Sequence, residues 1–180
     1  MKSEEAILIE ACLNKDQRAM KELYDRYAPS LYGICLRYAH SAEVAKDLLH
    51  DGFIKVFETL HRLKNRNALQ SWIRTIMVNT AVNNSMRGMR TTDKEPEREM
   101  VSDNYEESEK IYDELDSWYL LEAIAELPKQ YQLVFNLVEV EGYGTEEVAQ
   151  RLGIAEVTVR SNLHRAKKQL MERLKNYRKK

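Results

Sequence analysis

Arg160, Ser161, His164 and Arg165 stand close together near the C-terminus and offer guanidinium, hydroxyl and imidazole groups at helical spacing. Such groups hydrogen-bond to phosphate oxygens and to the edges of base pairs. A second group lies earlier, between Trp72 and Asn84, where Trp72, Arg74, Thr75, Asn79 and Asn83 are interleaved with an apolar stripe. Asparagine is a weak helix former, so several on one helix need a reason. Amide, guanidinium and indole groups together suit unpaired bases, which expose both their faces and their pairing edges. Either group alone also fits an ordinary solvated helix face. Bond-breaking chemistry has less support. The chain has no Gly-rich phosphate loop, and His40, His50, His61 and His164 form no HExxH or comparable metal spacing. His50 and Asp51 are adjacent, but consecutive residues on a helix diverge by about 100° and do not face each other. The expectation is a binding protein with no catalytic residue, no metal and no cofactor.

The elements that must position these residues read as helices. Hydrophobic residues make up 43% of the 180 positions, enough for a core, while Gly and Pro number only 6 and 3. A rhythm near 3.6 residues runs through most of the chain, which predicts an all-α protein. The apolar spacing predicts a first helix over Ser3–Asn14, then stripes through Met20, Leu23, Tyr24 and Tyr27 and through Leu31, Ile34, Cys35 and Tyr38. Pro29 lies between these stripes and is expected to kink or break the helix. Ala45, Leu48, Leu49, Gly52, Phe53, Val56, Phe57 and Leu60 make the cleanest stripe, Lys64 to Asn67 reads as a loop, and Trp72 opens the next helix.

These elements can bury one core, giving a first domain over residues 1–88. Residues 89–114 lack apolar periodicity and predict a flexible acidic linker. Residues 115–180 form a second small helical domain, with Leu127-Pro128 punctuating its first two helices. It ends in a helix-turn-helix. Val148, Ala149 and Leu152 line the shorter helix, Gly153 stops it, and Val159, Leu163, Ala166, Leu170 and Leu174 line the longer one. Cys12 and Cys35 sit on apolar stripes and predict buried, free thiols in a reducing cytoplasm. No apolar run is long enough to span a membrane, and the N-terminus is too acidic for a secretory signal.

Net charge is −1, but the charge is segregated. From Arg151 onward ten Lys and Arg face only Glu156 and Glu172, roughly +8, whereas Arg87 to Asp116 carries a balance of about −6. Such a chain makes a local DNA contact with weak attraction to bulk DNA, so it is expected to need help in finding its site.

Both halves together resemble the extracytoplasmic-function sigma factors, the small two-domain branch of the sigma-70 family. The motifs are Asp47 through Phe57, Trp72 through Asn79, Leu127-Pro128 with Val134-Phe135, Glu141-Gly142, Glu147-Val148-Ala149, and Thr158 through Ser161 with His164-Arg165-Ala166. They recur in the family's order and spacing over roughly Gln17 to Leu174. The resemblance implies binding to core RNA polymerase, through the clamp helices of the largest subunit and the flap of the second-largest. It implies recognition of promoter DNA, both duplex and melted single strand, and an anti-sigma partner. Carried over by position, Asp47, His50, Asp51 and Lys55 would contact the clamp, with Phe53 and Phe57 as core. Lys64, Asn65, Arg66 and Asn67 match a loop that reads a base flipped from the minus-ten element. Asn79 lines that base pocket, and Trp72 and Arg74 lie by the melted strand. Arg160, Ser161, His164 and Arg165 match the minus-thirty-five readers.

Several positions depart from the family pattern. His50 stands where Gln is usual, which introduces a protonatable group, and Thr75 stands where a second Arg is common. Asn162 replaces a frequent basic residue and is expected to weaken phosphate contact. Ala155 and Gly144 occupy usual Ser caps, each missing cap costing about 1 kcal/mol of helix start. The alternative to a sigma factor is a stand-alone helix-turn-helix regulator that binds operators without polymerase. Such a regulator usually carries a βα receiver or ligand pocket in its first half, and no such pattern is visible. A helical adaptor without a DNA role is disfavoured by the segregated charge.

Overall fold

A computed structural model describes residues 4–91 and 119–177, and every described element is helical. The chain divides into two compact units, Met1–Asn84 and Ser85–Lys180. The expected linker over 89–114 lies almost wholly outside the described residues.

The first unit begins with α1 (Glu4–Leu13), which buries Ala6, Leu8, Ile9 and Cys12. It ends at Lys15, whose backbone is left-handed at φ 60. The amide of Lys15 donates to the Cys12 carbonyl and that of Asp16 to the Ala11 carbonyl, at 3.0 and 3.1 Å. This is a Schellman closure with lysine in the place usually taken by glycine. Asp16 then caps α2 (Gln17–Tyr38), its carboxylate accepting from the amides of Arg18 and Ala19.

Pro29 was expected to kink or break this segment; it does not break it, since α2 runs as one helix from Gln17 to Tyr38. The ring is solvent-exposed and removes one backbone donor, while Ala28, Leu31, Ile34 and Cys35 anchor the helix in the core on both sides. Tyr27 donates to the Glu5 carboxylate at 2.8 Å and ties α2 to α1.

Ser41 caps α3 (Ala42–Thr59) by accepting from the Val44 amide at 3.2 Å. The predicted stripe of α3 is buried through Ala45, Leu48, Leu49, Gly52, Phe53 and Val56, with Phe57 half-buried. Two 3-10 turns, Leu60–Arg62 and Arg66–Ala68, lead into α4 (Leu69–Thr91). Gly52 permits the close approach of α3 to α4, since a Cβ there would fall inside the side chain of Met77, which is itself fully buried.

In the second unit, α5 covers residues 119–125, followed by α6 (Lys129–Phe135) with Pro128 at its cap. A π-helical turn (Asn136–Val140) leads to Gly142, whose φ of 79 suits glycine. Helices α7 (Thr145–Leu152) and α8 (Glu156–Tyr177) complete the unit. Ala123, Ile124 and Leu127 pack with Ala166 and Leu170 of α8, and Tyr131 and Phe135 lie against that cluster. Both cysteines are buried and free. Burial pushes the Cys12 thiol up to about 11 and the Cys35 thiol up to about 12, so neither is a reactive thiolate at neutral pH.

Candidate nucleic-acid interface

Three exposed faces hold the residues singled out from the sequence. On α3, Asp47, His50, Asp51 and Lys55 are all exposed, opposite the buried stripe. The His50 ring lies 6.3 Å from that of Tyr24, and Tyr24 in turn packs 4.5 Å from Phe53. Lys55 donates to the Thr80 hydroxyl of α4 at 3.2 Å. That bond occupies part of its ammonium within the unit, which sequence spacing could not foresee. The same face also presents Ile54, which is 55% exposed. Ile54 was missed, although its place off the apolar stripe was readable from helical period.

The second face is built by the turn before α4 and by α4 itself. Lys64, Asn65, Arg66 and Asn67 are all exposed. The expected loop is partly ordered: Asn65 accepts from the Asn67 amide at 3.1 Å and so starts the 3-10 turn Arg66–Ala68. Arg66 comes within 3.9 Å of the Glu10 carboxylate. On α4, Ile73, Met77, Val78, Thr80, Ala81 and Val82 are buried and hold the helix against the core. One part of its exposed surface is a ridge of half-buried Trp72 with exposed Thr75, Asn79 and Asn83. Residues seven apart return to one face, which brings Trp72 and Asn79 together. Arg74 is also exposed, but it lies about 140° around the helix from Asn79, so the two cannot line one pocket through α4 alone.

The third face is the helix-turn-helix. Gly153 ends α7 in the left-handed conformation, φ 67 and ψ 34, as the sequence predicted. Neither missing cap is replaced by a conventional one: Gly144 makes no side-chain cap bond, and the carbonyl of Ala155 alone receives the amides of Thr158 and Val159. A cross-link stands beside them. Glu156 accepts from the Thr145 hydroxyl at 2.6 Å and from Arg160 at 2.7 Å, joining the first turn of α7 to the first turn of α8. Those two bonds, the Thr145 hydroxyl foremost, hold the Glu156 carboxyl below its usual range.

Arg160, Ser161, His164 and Arg165 are all exposed on the outer side of α8. Arg165 lies 3.4 Å from the Tyr131 hydroxyl. Lys167 pairs with Glu139 at 2.8 Å, and Arg151 sits over the Tyr143 ring at 4.0 Å. One expectation is overturned. Asn162 was expected to weaken phosphate contact by replacing a basic residue in the reading helix, but the position is only 5% exposed, and the Asn162 amide nitrogen finds no hydrogen-bond partner. It belongs with Val159 and Ala166 on the inward stripe, because three and four residues along a helix return to the same side. Its side chain therefore does not bear on phosphate contact.

Comparison with known proteins places both units in one family. Residues 23–91 match the family described as Sigma-70 region 2, and residues 117–170 match Sigma-70, region 4. The RNA polymerase sigma-H factor of Pseudomonas aeruginosa is 27% identical, aligning 89% of this chain and 88% of its own. The ECF RNA polymerase sigma-E factor of Haemophilus influenzae is 25% identical, aligning 93% of each chain. Among solved structures, the sigma factor RpoE of Bartonella quintana, in complex with the anti-sigma factor NepR, superposes with a TM-score of 0.52. That likeness, at 21% identity over 86% of this chain and 96% of the other, is one of fold.

Proposed function

The chain belongs to the extracytoplasmic-function type of sigma-70 RNA polymerase sigma factors and directs promoter-specific transcription initiation as a non-catalytic subunit, and we propose that its two units divide that work. The supporting observation is that the two matched regions carry faces of different chemistry: an indole and amide ridge on α4, and a cationic face at the start of α8.

In this reading the first unit, within residues 1–88, binds core polymerase and melts the minus-ten element. The exposed face of α3 docks on the clamp helices of the largest subunit through Asp47, His50 and Asp51, with Ile54 as the apolar centre and Lys55 at the edge. A polar rim around a desolvated aliphatic anchor is how docking surfaces gain both affinity and register. Lys64, Asn65, Arg66 and Asn67 close over a flipped base, Asn79 hydrogen-bonds its pairing edge, and Trp72 offers a stacking surface. Arg74, facing away from Asn79, contacts the backbone of the melted strand rather than the base. Holding unstacked bases offsets the few kcal/mol that unstacking costs, so an open bubble persists without any covalent step.

The second unit, within residues 115–180, lies by the flap of the second-largest subunit and reads the minus-thirty-five element. Arg160, Ser161, His164 and Arg165 enter the major groove from the start of α8, where recognition helices present base-reading side chains. The linker over 89–114 spans the two. A sequestering anti-sigma factor is a further proposed partner, as the Bartonella protein is recorded in complex with one. No helix among the described residues is long and apolar enough to cross a membrane. The proposed site of action is the bacterial cytoplasm, where polymerase is.

The test is transcription from genomic fragments by core polymerase, with and without the chain, followed by mapping of start sites. The expected result is a defined set of starts that require the chain and share elements near minus-ten and minus-thirty-five. Tight sequence-specific duplex binding by the chain alone, with no association with polymerase, would overturn this division of labour.

A further inference from the structure

Val157 is the most exposed large apolar side chain among the described residues, at 73%. It occupies the first turn of α8, where its branched side chain neither packs on the core nor favours the helix. A lone exposed valine is common on protein surfaces and by itself says nothing. Its neighbours change that. Arg160 and Ser161 stand three and four residues on, and His164 seven, so all of them share its face. Each is exposed, and the side opposite is taken by Val159, Asn162 and Ala166. The result is a methyl-bearing side chain set among hydrogen-bond donors at the end of the helix nearest the turn. In duplex DNA the major groove offers one apolar group for such a side chain, the C5-methyl of thymine, beside the donor and acceptor edges that Arg, Ser and His can address.

We propose that Val157 is a specificity-determining residue for the minus-thirty-five element, where its methyl groups contact the C5-methyl of one thymine. This rests on the assignment of α8 as the reading helix. The neighbouring Arg160 supplies the polar half of the same contact, bridging to the adjacent base or phosphate once it leaves Glu156. Burial of one methyl-sized contact corresponds to a preference of about fourfold for thymine over a base without the methyl.

The experiment uses the holoenzyme of core polymerase with the full chain, on a promoter obtained by start-site mapping. Each minus-thirty-five thymine is replaced in turn by deoxyuridine, which removes the methyl and leaves the pairing and hydrogen-bonding edges intact. The expected result is a drop of about fourfold in promoter affinity at one position. Val157→Ala should show a similar drop on the unmodified promoter and no further response to deoxyuridine at that position. Because Val157 is exposed and alanine favours the helix, the variant should keep its helical circular dichroism and melt no lower than the parent protein.

A minus-thirty-five element without thymine, no response to any deoxyuridine, or an unchanged response in Val157→Ala would each overturn the inference. Arg160→Ala separates this failure from a wrong assignment of α8. If Arg160→Ala relaxes minus-thirty-five selection and Val157→Ala does not, only the Val157 contact is lost. If neither variant changes selection, α8 is not the reader.

Discussion

Asn79, proposed to meet a flipped base, and Glu156, which ties α7 to α8, are two side chains whose roles single substitutions can separate. Asn79 is exposed on α4 beside Thr75 and Asn83, away from the buried Ile73 and Met77, so a base could approach it without disturbing the core. Asn79→Ala should leave folding unchanged and reduce open-complex formation, read by permanganate footprinting of the melted strand; a footprint equal to that of the parent protein would remove Asn79 from the pocket. Glu156 is held by Thr145 and Arg160, and its carboxyl titrates below the ordinary range. A depressed folded-state value means the contribution is complete above the unfolded carboxylate pKa and is lost as pH falls through the folded one. Glu156→Gln should therefore destabilise the second unit at neutral pH, with the gap from the parent protein narrowing on acidification. Thermal melts between neutral pH and the acidic carboxylate range would check the sign.

At the scale of elements, two contacts decide how the first unit closes. Lys15 holds a left-handed backbone between α1 and α2, a conformation that suits glycine and costs other residues about 1–2 kcal/mol. Part of that is returned on substitution, because glycine also adds unfolded-state freedom. Lys15→Gly should raise stability by about 0.5–1 kcal/mol, measured by denaturant unfolding. Gly52 and Met77 are matched across α3 and α4. Overpacking at such a point costs about 1–3 kcal/mol, whereas shortening Met77 leaves a cavity costing about 2–5 kcal/mol. Gly52→Ala combined with Met77→Ala should lose less stability than the two single losses added, since the new methyl enters the space that Met77 leaves. Strict additivity in the double-mutant cycle would show that the helices separate instead.

For the whole molecule, a net charge of −1 over a cationic C-terminal segment sets weak affinity for bulk DNA against a local ability to bind it. The chain alone should bind promoter duplex weakly and with strong salt dependence, and core polymerase should raise both affinity and selectivity. A salt titration of promoter binding, with and without polymerase, measures this directly. Equal affinity in the two series would assign the chain to the class of free-standing regulators.

Much of this was legible in the sequence, because helical period and cap chemistry are local. The stripes of α2, α3 and α8, the stop at Gly153 and the two buried thiols all follow from residues within a few turns of one another. The order of the motifs likewise sufficed to indicate the family. Tertiary structure decided what depends on contacts between distant residues. It turned Asn162 inward, gave Lys55 the hydroxyl of Thr80, tied Glu156 to Thr145 and let α2 run through Pro29. The period of a helix says which side chains share a face, but only packing against the neighbouring helices determines which face is left to meet DNA or polymerase.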